Sequence, residues 1–257
     1  MLERRDTGVV RIMAAVTEAQ GAQFEIQDVE VGDPRPGEVR VQMTACGVCH
    51  TDAVARDGDL PFPLPGVLGH EGVGHVADLG DGVTSVAVGD PVLLGWPWCG
   101  HCRNCLAGQP RYCLALGPLL VGGSRGDGST ALSRPDGTPL HSHFFGQSSF
   151  ATHALASERA LVPIRTSAPL EAVGVLACGI ATGAGAVLNA LHLQPGAGLV
   201  VFGAGAVGLA AIMAARLTPD PRPLRLCSPM IVQLSAVRRG CQSKHTAVAS
   251  SVSSPSR

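Results

Sequence analysis

Net charge is almost absent: 19 Lys and Arg against 20 Asp and Glu leave a formal charge of −1 over 257 residues. Proteins built to hold nucleic acid carry a basic excess that attracts phosphates, so nucleic acid is excluded as the main partner. An apolar N-terminal core is also lacking. Glu3, Arg4, Arg5, Asp6 and Arg11 punctuate residues 1–12, and no secretory leader is expected there. There is no internal repeat and no long apolar span. Residues 199–215 carry no charge, but Gly203, Gly205 and Gly208 interrupt them. The run is also shorter than the about 20 residues a spanning helix needs. A buried strand leading into a buried helix is expected there, not a membrane span. Finally, no acid follows Asp220, whereas Arg222, Arg225, Arg238, Arg239, Lys244 and Arg257 do.

Against these absences stand nine cysteines and 46% apolar residues, enough for a substantial core in one large or two smaller domains. Cysteines without a leader suggest a reducing compartment in which thiolates bind metal, and the cytoplasm is the expected location. Residues 13–150 read as short β-runs, such as 38–43 and 72–77, separated by Gly/Pro turns at 34–37, 80–82 and 89–91. That spacing predicts a barrel-like β domain. Near Leu170 the pattern changes to Ala-rich helical sequence, followed by a strand candidate at 198–202 and a helix at 207–217. Strand, glycine turn and helix in that order open a βαβ unit. Beyond Thr218, Pro219, Pro221 and Pro223 alternate with charged residues, and the last thirty or so residues are Ser-rich without a period. Disorder is expected there.

Cys99, Cys102, Cys105 and Cys113 are spaced C-x2-C-x2-C-x7-C. Two-residue spacers let a tight turn aim successive sulfurs at one point, and Gly108 and Pro110 suit the returning loop. Four thiolates leave no open position, so the site reads as structural. Zinc is the expected ion; an iron–sulfur cluster uses similar spacing, and a disulfide pair is the bland alternative. His101, between ligands, reads as a solvent-facing bystander.

Three further motifs are weak singly: Cys46-Gly47-Val48-Cys49-His50-Thr51-Asp52, Gly69-His70-Glu71-Gly72 and Cys178-Gly179-Ile180-Ala181-Thr182-Gly183. In this order around the four-cysteine lobe, they resemble the medium-chain zinc-dependent alcohol dehydrogenases. The resemblance runs from about Met13 to Leu217. The stretch His143-Phe144-Phe145-Gly146-Gln147-Ser148-Ser149-Phe150-Ala151 is similar to their NAD-linked aryl-alcohol (benzyl-alcohol) branch.

The resemblance implies an α/β two-domain fold. A GroES-like zinc-binding catalytic domain would span 13–178, and the start of a Rossmann NAD-binding domain 179–218. Residues 1–12 would be an extension before the family-like start at Met13, and 219–257 a tail outside the family. It implies Cys49, His70 and Cys178 as catalytic zinc ligands, with Glu71 a carboxylate able to approach the metal. Three protein ligands leave a fourth position for substrate on a Lewis acid. Thr51 would accept the alcohol proton, Asp52 would orient His70, and His50 would contact the cofactor pyrophosphate. Thr182 would also belong to the cofactor site. Relatives often carry a histidine three residues after the relay hydroxyl; here that position is Val54. Cys46 competes with Cys49, and reads as a small core residue. His75, His153 and His192 are given no role. Trp96, Trp98, Phe144 and Phe145 read equally as substrate-pocket or core residues.

Gly203, Gly205 and Gly208 form G-x-G-x-x-G between a strand and a helix, the context in which backbone N–H groups reach a pyrophosphate. The acid that should follow about twenty residues on, to hold the ribose, is missing, because counting forward reaches Pro223 to Cys227. Proline-rich sequence is also a poor source of a central parallel strand. The expectation is loss of reading frame near Thr218 and a C-terminally incomplete chain. The sequence thus reads as a zinc- and NAD-dependent oxidoreductase taking hydride from a primary, aromatic alcohol. Its partners would be the alcohol and aldehyde, with no nucleic acid or membrane, and the family suggests a homo-oligomer. The alternative is a non-catalytic zinc-binding remnant.

Overall fold

The computed structural model describes residues 8–192, 198–217, 225–227 and 234–237. They fall into two compact units, Met1–Ala177 and Cys178–Arg257.

The first unit opens with β1 (Val10–Thr17), β2 (Phe24–Val31) and β3 (Glu38–Gly47), then a short helix α1 (His50–Arg56). β4 (Gly66–Val67), β5 (Glu71–Leu79) and β6 (Pro91–Leu94) follow. Next come α2 (Arg103–Leu106), α3 (Leu116–Val121), β7 (Leu132–Ser133) and β8 (Pro139–Leu140). β9 (His153–Ser157), β10 (Leu161–Pro163) and α4 (Leu170–Val173) complete it. The strands form two five-stranded sheets, ordered β4-β1-β2-β7-β8 and β10-β6-β5-β3-β9.

Alternation drives this. Along β1, Val10, Ile12, Ala14 and Val16 are buried while Arg11 and Met13 face out. With Val29, Val31, Val67, Leu132 and Leu140 they make one core. Val39, Val41, Val76, Val92 and Leu94 make a second. Burying each such side chain contributes roughly 1.5–3 kcal/mol. β1 begins at Val10, paired to Val31, ahead of the family-like start at Met13. Removing residues 10–12 would strip two buried side chains from the first core.

The second unit contains α5 (Gly179–Gly185), β11 (Gly198–Phe202), α6 (Ala206–Ala215), β12 (Arg225–Cys227) and β13 (Leu234–Val237). α5 and α6 pack closely because both are built from small residues: a Cβ on Gly183 would lie 2.1 Å from the Val207 carbonyl oxygen. Residues 199–215 are thus a strand and a ten-residue helix. Among the described residues no single helix is long and apolar enough to cross a membrane.

β12 runs parallel to β11 and β13 antiparallel to it, inside the stretch expected to lack order. The difference has a simple cause. The three prolines precede Arg225, so every residue that β12 pairs retains its backbone N–H. The remainder of that stretch lies outside the described residues.

Two candidate metal centres

The four-cysteine lobe is assembled within one loop and the short helix α2. Gly108 turns the chain at φ +72° and Pro110 opens the next turn, bringing Cys113 back. The four Sγ atoms lie within 4.8 Å of one another, with Cys99–Cys105 at 3.8 Å and Cys102–Cys105 at 3.4 Å. A tetrahedron with zinc–sulfur bonds of normal length has edges of about 3.8 Å, so the donor set fits that ion. The cysteines are free, not paired in disulfides.

Backbone N–H groups point at the sulfurs: Cys99 donates to Cys113 Sγ at 3.3 Å and Cys102 to Cys99 Sγ at 3.4 Å. The Leu114 N–H, then that of Cys105, brings the Cys102 thiol down to about 6, whereas burial pushes Cys105 up to about 12. His101 is exposed and turns Nδ1 to the Cys99 carbonyl, 2.9 Å away.

The second centre draws on distant segments. Cys49 caps α1, and Asp52 in its first turn is buried. Asp52 Oδ2 accepts from the Cys49 N–H at 2.9 Å, while Oδ1 faces His70 Nδ1 at 2.9 Å and the Gly69 N–H at 3.2 Å. A carboxylate at Nδ1 keeps the proton there and leaves Nε2 as the ligand atom. Ligand atoms of Cys49, His70 and Glu71 lie within 4.8 Å of one another. Burial works against charge on His70, but hydrogen bonds to Asp52 and Cys49 outweigh it and raise its pKa to about 9.

Glu71 is buried against Gly47, where an added Cβ would meet its carboxylate oxygen at 2.1 Å. The backbone of Gly174 abuts the Glu71 carbonyl, and Ala177 packs on Val73 and Leu93. Cys178 is one peptide step beyond Ala177, about 3.8 Å between Cα atoms; it is half-buried and opens the second unit.

Cys46 is not in the group that contains Cys49. Its thiol donates to the Gly47 carbonyl, and burial pushes it up to about 12, the behaviour of a neutral core residue. The Cys49 thiol donates to the Thr51 hydroxyl at 3.5 Å. His50 is exposed at the start of α1, and Val54 lies half-buried on the same helix. Phe145 stacks on the His70 ring at 4.5 Å, and Trp96 meets Phe145 edge-on at 5.4 Å. Phe144 is fully buried with Phe62 and Leu68, a core residue. Trp98 is tied elsewhere, donating to the Arg159 carbonyl at 2.9 Å.

Gln147 is a residue that sequence reasoning missed, although its neighbours carry the resemblance. It is buried, and its amide bridges backbone groups beside His70. Such contacts leave no periodicity to read.

In the second unit, Gly203 adopts φ +103° directly after β11, and Gly205 caps α6 with open space around it. A Cβ on Gly208 would lie 2.1 Å from the Gly203 carbonyl oxygen, so the turn requires glycine there. This is a strand–turn–helix with a bare helix N-terminus, able to take a phosphate. Thr182 is exposed on α5. β12 ends at Cys227, with no Asp or Glu anywhere after Asp220.

Residues 35–166 match the family model for the alcohol dehydrogenase GroES-like domain. The chain belongs to that family. It is 44% identical over 231 residues to a geraniol dehydrogenase of Castellaniella defragrans, covering 90% of this chain and 60% of the relative. Among solved structures, an alcohol dehydrogenase zinc-binding domain protein from Burkholderia ambifaria superposes with TM-score 0.82 at 47% identity, over 85% of this chain and 59% of that one. Benzyl alcohol dehydrogenase from Acinetobacter calcoaceticus gives 0.80 at 43%, over 84% and 58%. The chain therefore spans about 60% of the length of the curated relatives it matches.

Proposed function

We propose that this chain is the zinc-binding part of an alcohol dehydrogenase that passes hydride from a primary, aromatic alcohol to NAD. The observation that carries the reading is Asp52 joining the two expected ligand segments, bonded to the Cys49 N–H and to His70 Nδ1. Cys49, His70 and Cys178 would hold the catalytic ion, and the four-cysteine lobe a structural one. Zinc at the first site supplies a Lewis acid that makes an alcohol hydroxyl acidic near neutral pH.

The chain's own groups do the rest. Asp52 keeps the proton of His70 on Nδ1. Thr51 takes the alcohol proton through its hydroxyl. Glu71, beside the ligands, offers a carboxylate as ligands exchange. Phe145 and Trp96 form an aromatic wall next to His70, suited to a flat ring. The N–H groups at Gly203 and Gly205 would take the cofactor pyrophosphate, with His50 and Thr182 assisting. Two relatives, geraniol dehydrogenase of Castellaniella defragrans and benzyl alcohol dehydrogenase of Acinetobacter calcoaceticus, support by their names a primary alcohol next to an unsaturated carbon. The cytoplasm and a homo-oligomer accompany this reading.

The test is NAD reduction by the purified chain with benzyl alcohol or geraniol, followed at the absorbance of the reduced nicotinamide. Turnover that is abolished by chelation supports the proposal. A second reading is a non-catalytic zinc-binding domain, favoured by the missing ribose-binding acid after β12. Two metals per chain without cofactor binding would select it.

A further inference from the structure

Residues 143–149 form a strap with an unusual backbone. His143 (φ +63°), Phe145 (φ +50°) and Ser148 (φ +55°) all occupy the left-handed region, as does Gly146 (φ +72°). Side chains disfavour that region, and three non-glycine residues persist there only where surrounding contacts dictate it. The contacts are specific. Ser148 Oγ accepts from the Phe144 N–H at 2.9 Å and donates to the Val67 carbonyl at 2.6 Å. The Ser149 N–H then donates to the Gly69 carbonyl at 2.9 Å.

What the strap delivers is an aromatic face and an amide. Phe145 lies on the imidazole of His70. Gln147 Nε2 donates to the carbonyls of His70 (3.1 Å) and Leu94 (3.3 Å). Its Oε1 accepts from the Gly72 N–H at 3.1 Å and from the Ser149 hydroxyl. Both donors and both lone pairs of this buried amide are used. A leucine would fill similar space; only an amide can hold a carbonyl and an N–H on either side of Glu71.

We propose that Gln147 is a positioning residue that fixes the His70–Gly72 backbone, and with it the ligand geometry at the Cys49–His70 centre. The inference rests on reading that centre as a metal site. Asp52 sets the ring from its Nδ1 side, Phe145 holds its face, and Gln147 anchors the main chain beneath it. Groups that orient ligands from behind typically change metal affinity by about 10–100-fold when removed.

The test compares the full chain with Gln147→Met, similar in shape but without the amide, and with Ser149→Ala, which removes one donor to Oε1. Cobalt and zinc affinities are read by chelator competition. The cobalt spectrum separates an all-thiolate site from a mixed thiolate–imidazole one. Gln147→Met is expected to weaken the mixed site by about 10–100-fold and leave the four-cysteine site unchanged. Ser149→Ala should fall between it and the parent chain. Unchanged affinity and spectrum at the mixed site overturn the proposal, and so does an equal loss at both sites. If Gln147→Met does not fold, Ser149→Ala decides, and its indifference overturns the proposal. A parent chain that takes metal only at the cysteine lobe defeats the site reading itself. A parent with two metals and an indifferent Gln147→Met defeats this inference alone.

Discussion

The four-cysteine lobe and the Cys49–His70 centre use similar soft donors, yet they are assembled over very different ranges of chain. All four lobe ligands lie between Cys99 and Cys113, and the bonds to their sulfurs come from the backbone of the same segment and of Leu114. The other centre takes Cys49 from a helix cap and His70 from the chain entering β5. Asp52 supports it from the helix that Cys49 caps, and Phe145 and Gln147 reach it from further away still, on the strap. A local site needs only a turn of the right kind and a metal. A dispersed site needs the sheets formed first, so it inherits every weakness of the fold around it.

The largest expected effect falls on the lobe. Cys105→Ser should remove its metal and with it about 10 kcal/mol or more of local folding free energy. Hydrogen exchange across 99–114 should collapse while the other centre keeps its metal. Loss of both metals would show that the two regions form one cooperative unit, and the contrast would fail.

Acid comes next, through the strap. Burial, then the charge of Arg125, holds His143 down at about 4 from its ordinary 6.5. A depressed histidine contributes stability that is complete above about 6.5 and is lost as pH falls toward about 4. The loss is roughly 3 kcal/mol at most. Glu38 responds lower down: burial opposes its charge, but hydrogen bonds from Arg125 and the Arg35 N–H outweigh this and lower its pKa, so its contribution is lost only as pH falls below 4.5. Urea midpoints between pH 7 and 4 should therefore slope. His143→Asn, which tolerates the left-handed backbone and does not titrate, should flatten that slope. An undiminished slope would show that His143 does not carry the acid response.

Asp52→Asn keeps the shape but weakens the hold on the Nδ1 proton. Metal affinity at the dispersed centre should fall about 10–100-fold, with the lobe unaffected, as titration with cobalt would report. Glu18→Gln is the smallest change. It removes the Arg134–Glu18 pair, 2.7 Å long and partly exposed, and should cost less than about 1 kcal/mol, with metal binding at both sites intact. A measurable metal phenotype there would mean the dispersed site senses even the surface of the other sheet.

Several of these features were legible from residue order. The cysteine spacing pointed to the lobe, and the strand–glycine–helix context to β11 and α6. The alternation Val10, Ile12, Ala14, Val16 was present in the sequence too, but the family-like start at Met13 obscured it. β12 was hidden because three residues after a run of prolines carry no period. Gln147 and the three positive φ values at His143, Phe145 and Ser148 were invisible, since they answer to contacts with distant segments such as Val67, His70 and Leu94.

By itself, then, the order of residues determined the donor chemistry: which thiols and imidazole can bind a soft dication, and where a backbone turn can meet a phosphate. These depend on side-chain type and short-range spacing, which the chain carries folded or not. Tertiary structure alone decided that Phe145 covers the ring of His70 and that Gln147 holds the main chain on either side of Glu71. Those outcomes depend on burial and on partners brought together by the two sheets, and neither exists until the sheets pack.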